Sequence, residues 1–241
     1  MRVAAVSDVH GNLPALEAVL SDLDHVRPDL VVQAGDLAVG GPHPASVVDR
    51  VRERGWPGVL GNTDAMLDQV LTIPERERRF VGRSAARSRE MLGAERLAWL
   101  ADQPMQWRGG GISVVHAVPG DCWAVVGHDA SDDSLRATYG QLGVPLVVYG
   151  HIHHAYVRRL DGLTVVNSGS VSLSRDGDVR AAHAVIEDGR VEHRRVAYDV
   201  ESVAKELLEM DYPNAETYAA WLRTGTWIRP SPPPDNPSPD R

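Results

Sequence analysis

This chain of 241 residues has one cysteine, Cys122, and one lysine, Lys205. A single cysteine cannot close an intrachain disulfide, which excludes a small stapled scaffold and suits a reducing compartment. Basic residues are scarce relative to acidic ones, 25 against 33, and the net charge is −8. No overall attraction to nucleic acid or to an anionic membrane follows, although a local basic patch stays open. No apolar run approaches the roughly 18 residues of a transmembrane helix. The first residues, Met1 to Asp8, enter a strand-like run at once and do not read as a signal peptide. The expectation is a cytoplasmic protein with no membrane partner and no evident nucleic-acid surface.

What the chain does contain is a series of short apolar runs that end in polar, glycine-flanked residues. Val3 to Val6 leads into Asp8, Leu30 to Val32 into Gly35-Asp36, and Val59-Leu60 into Gly61-Asn62. Ile112 to Val115 leads into His116, Leu146 to Val148 into Gly150-His151, and Val165-Val166 into Asn167. Such runs suit strands buried on both faces, with the polar residues just past their carboxyl ends, where open α/β sheets place ligands.

Helical spacing appears at Leu13, Leu16, Val19 and Leu23, at Val47, Val48 and Val51, and through residues 84–101 with Met91, Leu92, Trp99 and Leu100 as core. After His151 the pattern changes. Asp161-Gly162 and Asp188-Gly189 predict tight hairpins, so the second half reads as antiparallel strands. Gly109-Gly110-Gly111 lacks the lysine and hydroxyl of a phosphate loop and reads as a turn. Residues 200–211 and 214–224 read as helices, and the six prolines of residues 230–241 predict a disordered tail. The expected division is a catalytic domain over 1–199, a helical extension over 200–228 packed on it, and the tail over 229–241.

Seven side chains at the predicted strand ends carry chemistry: Asp8, His10, Asp36, Asn62, His116, His151 and His153. Each alone is weak evidence. Gly-Asp and Gly-Asn are ordinary turn dipeptides, and a lone histidine is usually a satisfied core residue. His-x-His says more, since alternate strand residues share a face. The ordered set is what chance explains badly. All seven offer oxygen or imidazole nitrogen and none a thiolate, which suits manganese, iron, zinc, cobalt or nickel better than calcium. Seven ligands exceed one tetrahedral zinc and suit two metals sharing an aspartate. Two divalent ions against Asp8 and Asp36 leave about +2, enough to stabilise a bridging hydroxide and hold a phosphate ester.

In order, these motifs resemble the calcineurin-like metallophosphoesterase superfamily: Asp-x-His, Gly-Asp, Gly-Asn-His-Asp/Glu, a later histidine, and Gly-His-x-His. Within it the chain is similar to the bacterial YfcE-like and diadenosine-tetraphosphatase-like members. Their Gly-Pro-x-Pro turn reads Gly41-Pro42-His43-Pro44 here, and their Asn-Pro-Gly-Ser loop reads Asn167-Ser168-Gly169-Ser170. Their Arg-Asp-Gly-Asp turn is Arg175-Asp176-Gly177-Asp178, and Arg195-Val196-Ala197-Tyr198-Asp199 matches further on. The resemblance implies a four-layer α/β/β/α sandwich of two mixed sheets. It also implies that Asp8, His10 and His153 hold one metal and Asn62, His116 and His151 the other, with Asp36 bridging. Manganese is the first expectation for both.

One departure matters. Where the family often has histidine after the asparagine, this chain has Thr63, which cannot act as an acid near neutral pH. The expected function is therefore a dinuclear phosphoesterase that favours phosphodiesters or activated esters, by in-line attack of a metal-bridging hydroxide. The alternatives are a phosphomonoesterase, whether protein phosphatase or dinucleoside polyphosphate hydrolase, and a non-catalytic scaffold, which should have eroded ligands. An amidohydrolase would carry its His-x-His on the first strand. His43 is the candidate replacement acid, against a solvated loop histidine. Asn12 reads as a helix cap or a phosphate contact, and Arg175 as a phosphate ligand or a turn arginine. His154 should point away from the ligands, and His128 has no evident partner.

Overall fold

The computed structural model describes residues 1–68 and 75–227. The expected tail over 229–241 lies outside them. Two sheets form the centre. The first has four strands in the order β2-β1-β8-β9, namely Leu30–Gln33, Arg2–Val6, Ala181–Glu187 and Arg190–Val196. The second has five in the order β3-β4-β5-β7-β6, namely Gln106–Gly109, Ile112–Val115, Leu146–Tyr149, Leu163–Asn167 and Tyr156–Leu160.

Alternation along β1 sets the layers. Val3 and Ala5, with Val32 of β2, face the second sheet and meet Val114, Val148 and Val166 in a core between the sheets. Ala4 and Val6 face outward and pack under α1 (Leu13–Val26) and α2 (Pro44–Glu53), through Leu16, Val19, Val47 and Val51. The other outer face, Val115, Val147, Tyr149 and Val165, is covered by Leu135 and Tyr139 of α6 (Asp132–Tyr139). The order of layers is helix, sheet, sheet, helix, as the motifs implied. Helices α7 (Val200–Glu209) and α8 (Ala215–Thr224) pack on each other through Val203, Leu207, Tyr218 and Leu222, and reach Leu173.

Both predicted hairpins form. Glu187 pairs with Arg190 and Leu160 with Leu163, and Asp188 and Gly189 both have positive φ, as the favoured two-residue turn requires. The second half is nevertheless not all antiparallel. β5 runs parallel to β4 and to β7, because β6 folds outward and leaves β7, with Leu163, Val165 and Val166 buried, beside β5. Val59-Leu60 forms no strand; only a bridge from Gly58 to Gln33 appears there. The helix expected over 84–101 is two, α4 (Glu75–Leu92) and α5 (Ala94–Ala101), broken where Gly93 takes φ 74°. The remaining helix, α3 (Asn62–Asp68), was missed, as were β3 and α6.

The parallel strands β1 and β2 of one sheet and β4, β5 and β7 of the other end at one edge, and every candidate ligand lies on the loops there or, for Asn62, on the first residue of α3.

Candidate metal centre

The loops after β1 and β2 are zipped together by their backbones. Asp8 N donates to Gly35 O at 3.0 Å, His10 N to Asp36 O at 3.0 Å, and Gly11 N to Leu37 O at 2.8 Å. From the other sheet, Gly150 N donates to His116 O at 2.9 Å. The loop after β7 joins both: Ser172 N and Ser170 Oγ each donate to Asp8 O, at 3.0 and 2.9 Å. Five of the seven predicted ligands, Asp8, His10, Asp36, His151 and His153, have φ between 50° and 65°. Left-handed backbone costs a non-glycine residue about 1–2 kcal/mol, and such strain gathers where function requires it. His151 and His153 therefore do not converge by strand alternation. They lie on a loop, and both reach the site because both are left-handed.

Close approach requires glycine at positions 61 and 150. A Cβ on Gly61 would overlap Asp36 N and Oδ1, and one on Gly150 would overlap Ser7 Oγ.

All seven predicted donors come together, in two groups that Asp36 joins. His10 Nε2 lies 3.1 Å from His153 Nε2, His153 Nε2 3.2 Å from Asp8 Oδ1, and His10 Nε2 3.8 Å from Asp36 Oδ2. On the other side Asn62 Oδ1 lies 2.8 Å from His116 Nε2 and 2.9 Å from His151 Nδ1, while His116 Nε2 is 3.5 Å from Asp36 Oδ2. Six of the seven are buried and His151 is partly so.

The second ring nitrogens fix the tautomers. His10 Nδ1 donates to Val39 O at 2.6 Å, His116 Nδ1 to Ala34 O at 2.7 Å and His153 Nδ1 to Leu173 O at 2.6 Å. A carbonyl only accepts, so in each neutral ring Nε2 carries the lone pair. The Nε2 atoms of His10 and His153 are thus two acceptors 3.1 Å apart beside a carboxylate, and His116 Nε2 faces the oxygens of Asn62 and Asp36. Acceptors crowded this way need cations among them. Carbonyl-anchored imidazoles with carboxylate and amide oxygens are the donor set of a transition-metal site, and the residues fit two such ions.

The protein's own charges show the same demand. Burial would raise the Asp36 carboxyl, but His116, His10 and the Thr63 N–H hold it far below the ordinary range. Burial would lower His116, yet Asp36 and Asp8 lift it to about 9. His151, desolvated and beside His116, falls to about 3. Asp8 also falls, because His153 and His116 outweigh its burial.

Thr63 donates its backbone N–H to Asp36 Oδ1 at 2.9 Å, and its buried Oγ1 has no partner in the wall of the cavity over the donors. His43 does not line that cavity. It precedes α2 and its Nε2 meets Glu206 of α7 at 2.9 Å. Asn12 caps α1, accepting from Ala15 N at 3.1 Å and donating to Ser172 Oγ at 3.0 Å. His128 has a partner after all: it stacks on His154 at 3.8 Å, which turns His154 away from the ligands beside it.

Sequence reasoning left Asp64 without a role. Its carboxylate accepts from Leu37 N at 2.9 Å and Ala38 N at 3.0 Å and so holds the loop that presents Asp36. Burial and the charge of Asp36 raise it to about 7. It also missed Trp123, Trp221 and Trp227, which line the cavity. No spacing in the sequence links those three.

Residues 1–189 match the calcineurin-like phosphoesterase superfamily domain. The crystal structure of a metallophosphoesterase from Sphaerobacter thermophilus is similar, with 29% identity and a TM-score of 0.76 over 94% of this chain and 99% of that one. The fold is also that of a putative diadenosine tetraphosphatase, at 20% identity and a TM-score of 0.56 over 81% and 94% of the two chains. An uncharacterised protein of Methanocaldococcus jannaschii is 24% identical over 234 residues, covering 88% of this chain and 93% of its own.

Proposed function

Because the chain belongs to the calcineurin-like phosphoesterase superfamily, we propose that it is a dinuclear metal-dependent phosphoesterase that favours phosphodiesters. Asp8, His10 and His153 would hold one divalent transition metal, Asn62, His116 and His151 the second, and Asp36 both, with manganese the first candidate. Such ions supply Lewis acidity toward a phosphoryl oxygen and make bound water nucleophilic at neutral pH.

The observation that carries this reading is the orientation of the imidazoles. The Nδ1 atoms of His10, His116 and His153 are committed to carbonyls, so their Nε2 lone pairs converge on Asp8 and Asp36. Thr63 offers only a hydroxyl beside Asn62, and a hydroxyl cannot protonate a leaving alkoxide near neutral pH. That favours esters whose leaving group departs readily, and is why diesters and aryl esters are preferred here over alkyl monoesters. The retention of every donor speaks against a scaffold that has lost its chemistry. No helix among the described residues is long and apolar enough to cross a membrane.

The test is a hydrolysis screen on protein reconstituted with Mn, Zn, Fe, Co or Ni in turn. It compares bis-p-nitrophenyl phosphate, p-nitrophenyl phosphate, phosphopeptides and dinucleoside polyphosphates. The diester is expected to be the best substrate. Protein holding two metals that cleaves none of the four would refute the assignment.

A further inference from the structure

The two histidines of the first metal position lean on loop carbonyls, and both loops are held by residues beyond 189, where the match to the superfamily domain ends. His10 Nδ1 donates to Val39 O at 2.6 Å. Gly40 N, the other end of the same peptide unit, donates to the Tyr212 hydroxyl at 3.0 Å. A trans peptide unit is planar and its C=O and N–H point in opposite directions, so pinning the N–H aims the carbonyl. Gly40 has φ 121°, and a glycine lets such a unit turn over at little steric cost. Tyr212 supplies the constraint that the glycine does not. Its own hydroxyl is buried and committed, donating to Ser84 O at 3.3 Å and accepting from Ser88 Oγ at 2.9 Å, both on α4.

His153 is held in a parallel way. Its Nδ1 donates to Leu173 O at 2.6 Å, and Leu173 has φ 59°, a left-handed backbone that a leucine keeps only where its surroundings hold it. Trp221 supplies that hold. Its Nε1 donates to Ser174 O at 2.6 Å, one residue on, and its ring lies along the His153 ring at 5.6 Å and 19°. Gly177 N donates to Gly225 O at 3.0 Å and ties the same loop to the end of α8. The two loops touch beside His10: a Cβ on Gly40 would lie 3.2 Å from Leu173 Cδ1 and 3.4 Å from His10 Cβ.

The second position is anchored inside the domain. His116 Nδ1 donates to Ala34 O at 2.7 Å, and Ala34 N donates to Val6 O at 2.9 Å, so this carbonyl is fixed by the sheet itself.

We propose that Tyr212 and Trp221 are positioning residues for the first metal position and not for the second, so that the segment after residue 199 sets how tightly one of the two metals is held. This rests on the dinuclear reading above for the metals, but not for the two imidazoles. Without the Tyr212 hydroxyl the unit joining Val39 and Gly40 is free to turn, and His10 Nδ1 loses its acceptor. The ring proton then moves to Nε2, where it occupies the lone pair that faces Asp8 and Asp36.

The experiment uses full-length protein labelled with 15N in histidine. Tyr212→Phe removes only the hydroxyl, and Trp221→Phe removes the N–H and keeps a ring. Val203→Ala, which thins the packing of α7 and deletes neither bond, is the control. In metal-free protein the ring-nitrogen shifts read the tautomer. Tyr212→Phe should move His10 toward the Nε2–H form and Trp221→Phe should shift His153, with His116 unchanged in both. Zinc titration followed on the same resonances then reads each metal position separately. Both variants should raise Kd at the first position roughly tenfold or more and at the second by less than about twofold. Val203→Ala should lower Tm and leave the ratio of the two constants alone. Equal weakening of both positions overturns the proposal, as does a control that reproduces the selective loss. If wild type takes up one zinc or none while Tyr212→Phe still changes the His10 tautomer alone, the dinuclear reading fails and the positioning role stands. If two zinc ions bind and both variants keep wild-type tautomers and constants, the positioning role fails and the dinuclear reading stands.

Discussion

Replacing Gly61 by alanine is expected to damage the metal centre without touching any donor atom. The added Cβ would overlap Asp36 N and Oδ1, and would lie 2.8 Å from Asp36 Cα. Backbone atoms cannot rotate aside as a flexible side chain can. Asp36 must move, and with it the 3.0 Å bond from His10 N to Asp36 O and the 2.9 Å bond from Thr63 N to Asp36 Oδ1. Overpacking of this kind costs about 3 kcal/mol, at the upper end of what an inserted methyl does. For a protein of this size that is a fall in Tm of roughly 6–12 °C. Displacing the shared carboxylate should also lower metal content from two per chain to one or less, and turnover by about a hundredfold, as a misplacement near 1 Å does. Gly55→Ala is the control. Gly55 has φ 62° with nothing within 4 Å of its Cβ position, so alanine there meets only backbone strain of about 1 kcal/mol. Its Tm should drop by roughly 2–4 °C with metal content and kcat unchanged. The measurements are thermal unfolding, elemental analysis after desalting, and turnover of bis-p-nitrophenyl phosphate. A Gly61→Ala protein with the control's Tm and two metals would refute the packing reasoning.

Three further outcomes are expected. Asp36→Asn should weaken both metal positions and His153→Ala mainly one, read by elemental analysis of folded protein; equal loss of a single metal in both variants would contradict the shared role of Asp36. Thr63→His should flatten the dependence of rate on leaving-group pKa and help poor alkyl leaving groups most, by up to about 100-fold; an unchanged slope in a graded ester series would mean that another group supplies the proton. Asp22 is bonded by Arg194 at 2.6 and 2.8 Å and by His183 at 2.8 Å, tying α1 to β8 and β9, and Arg194 with His183 lowers its carboxyl to about 2. A depressed carboxylate stabilises the fold above its unfolded pKa near 3.8, and that stability is lost as pH falls toward 2. Discounted for partial exposure, Asp22→Asn should cost about 1–2 kcal/mol at pH 7 by urea unfolding, and the gap from wild type should narrow below pH 4; a gap independent of pH would count against the ion pair.

The chain's own order of residues determined the strands of both sheets that carry ligands, the two hairpins and the seven donors. Most of the short apolar runs form buried strands, and the polar groups that end them lie at one end of the sheets. What sequence could not decide was anything set by contacts between distant segments. β5 and β7 became parallel neighbours because β6 swung outward. The helix over 84–101 broke because Gly93 took a left-handed turn that a period of 3.6 does not reveal. His151 and His153 share the site through positive φ, not through the alternation that their spacing suggests. His43 left the reach of the cavity because α7 brings Glu206 to its imidazole. Asp64 shows its role only as the acceptor for Leu37 and Ala38 of another loop. Above all, the tryptophan wall joins residue 123 to residues 221 and 227. Local pattern records which face of a segment is apolar, but which distant segment will cover that face is fixed only when the helices after residue 199 close over the sheet edge.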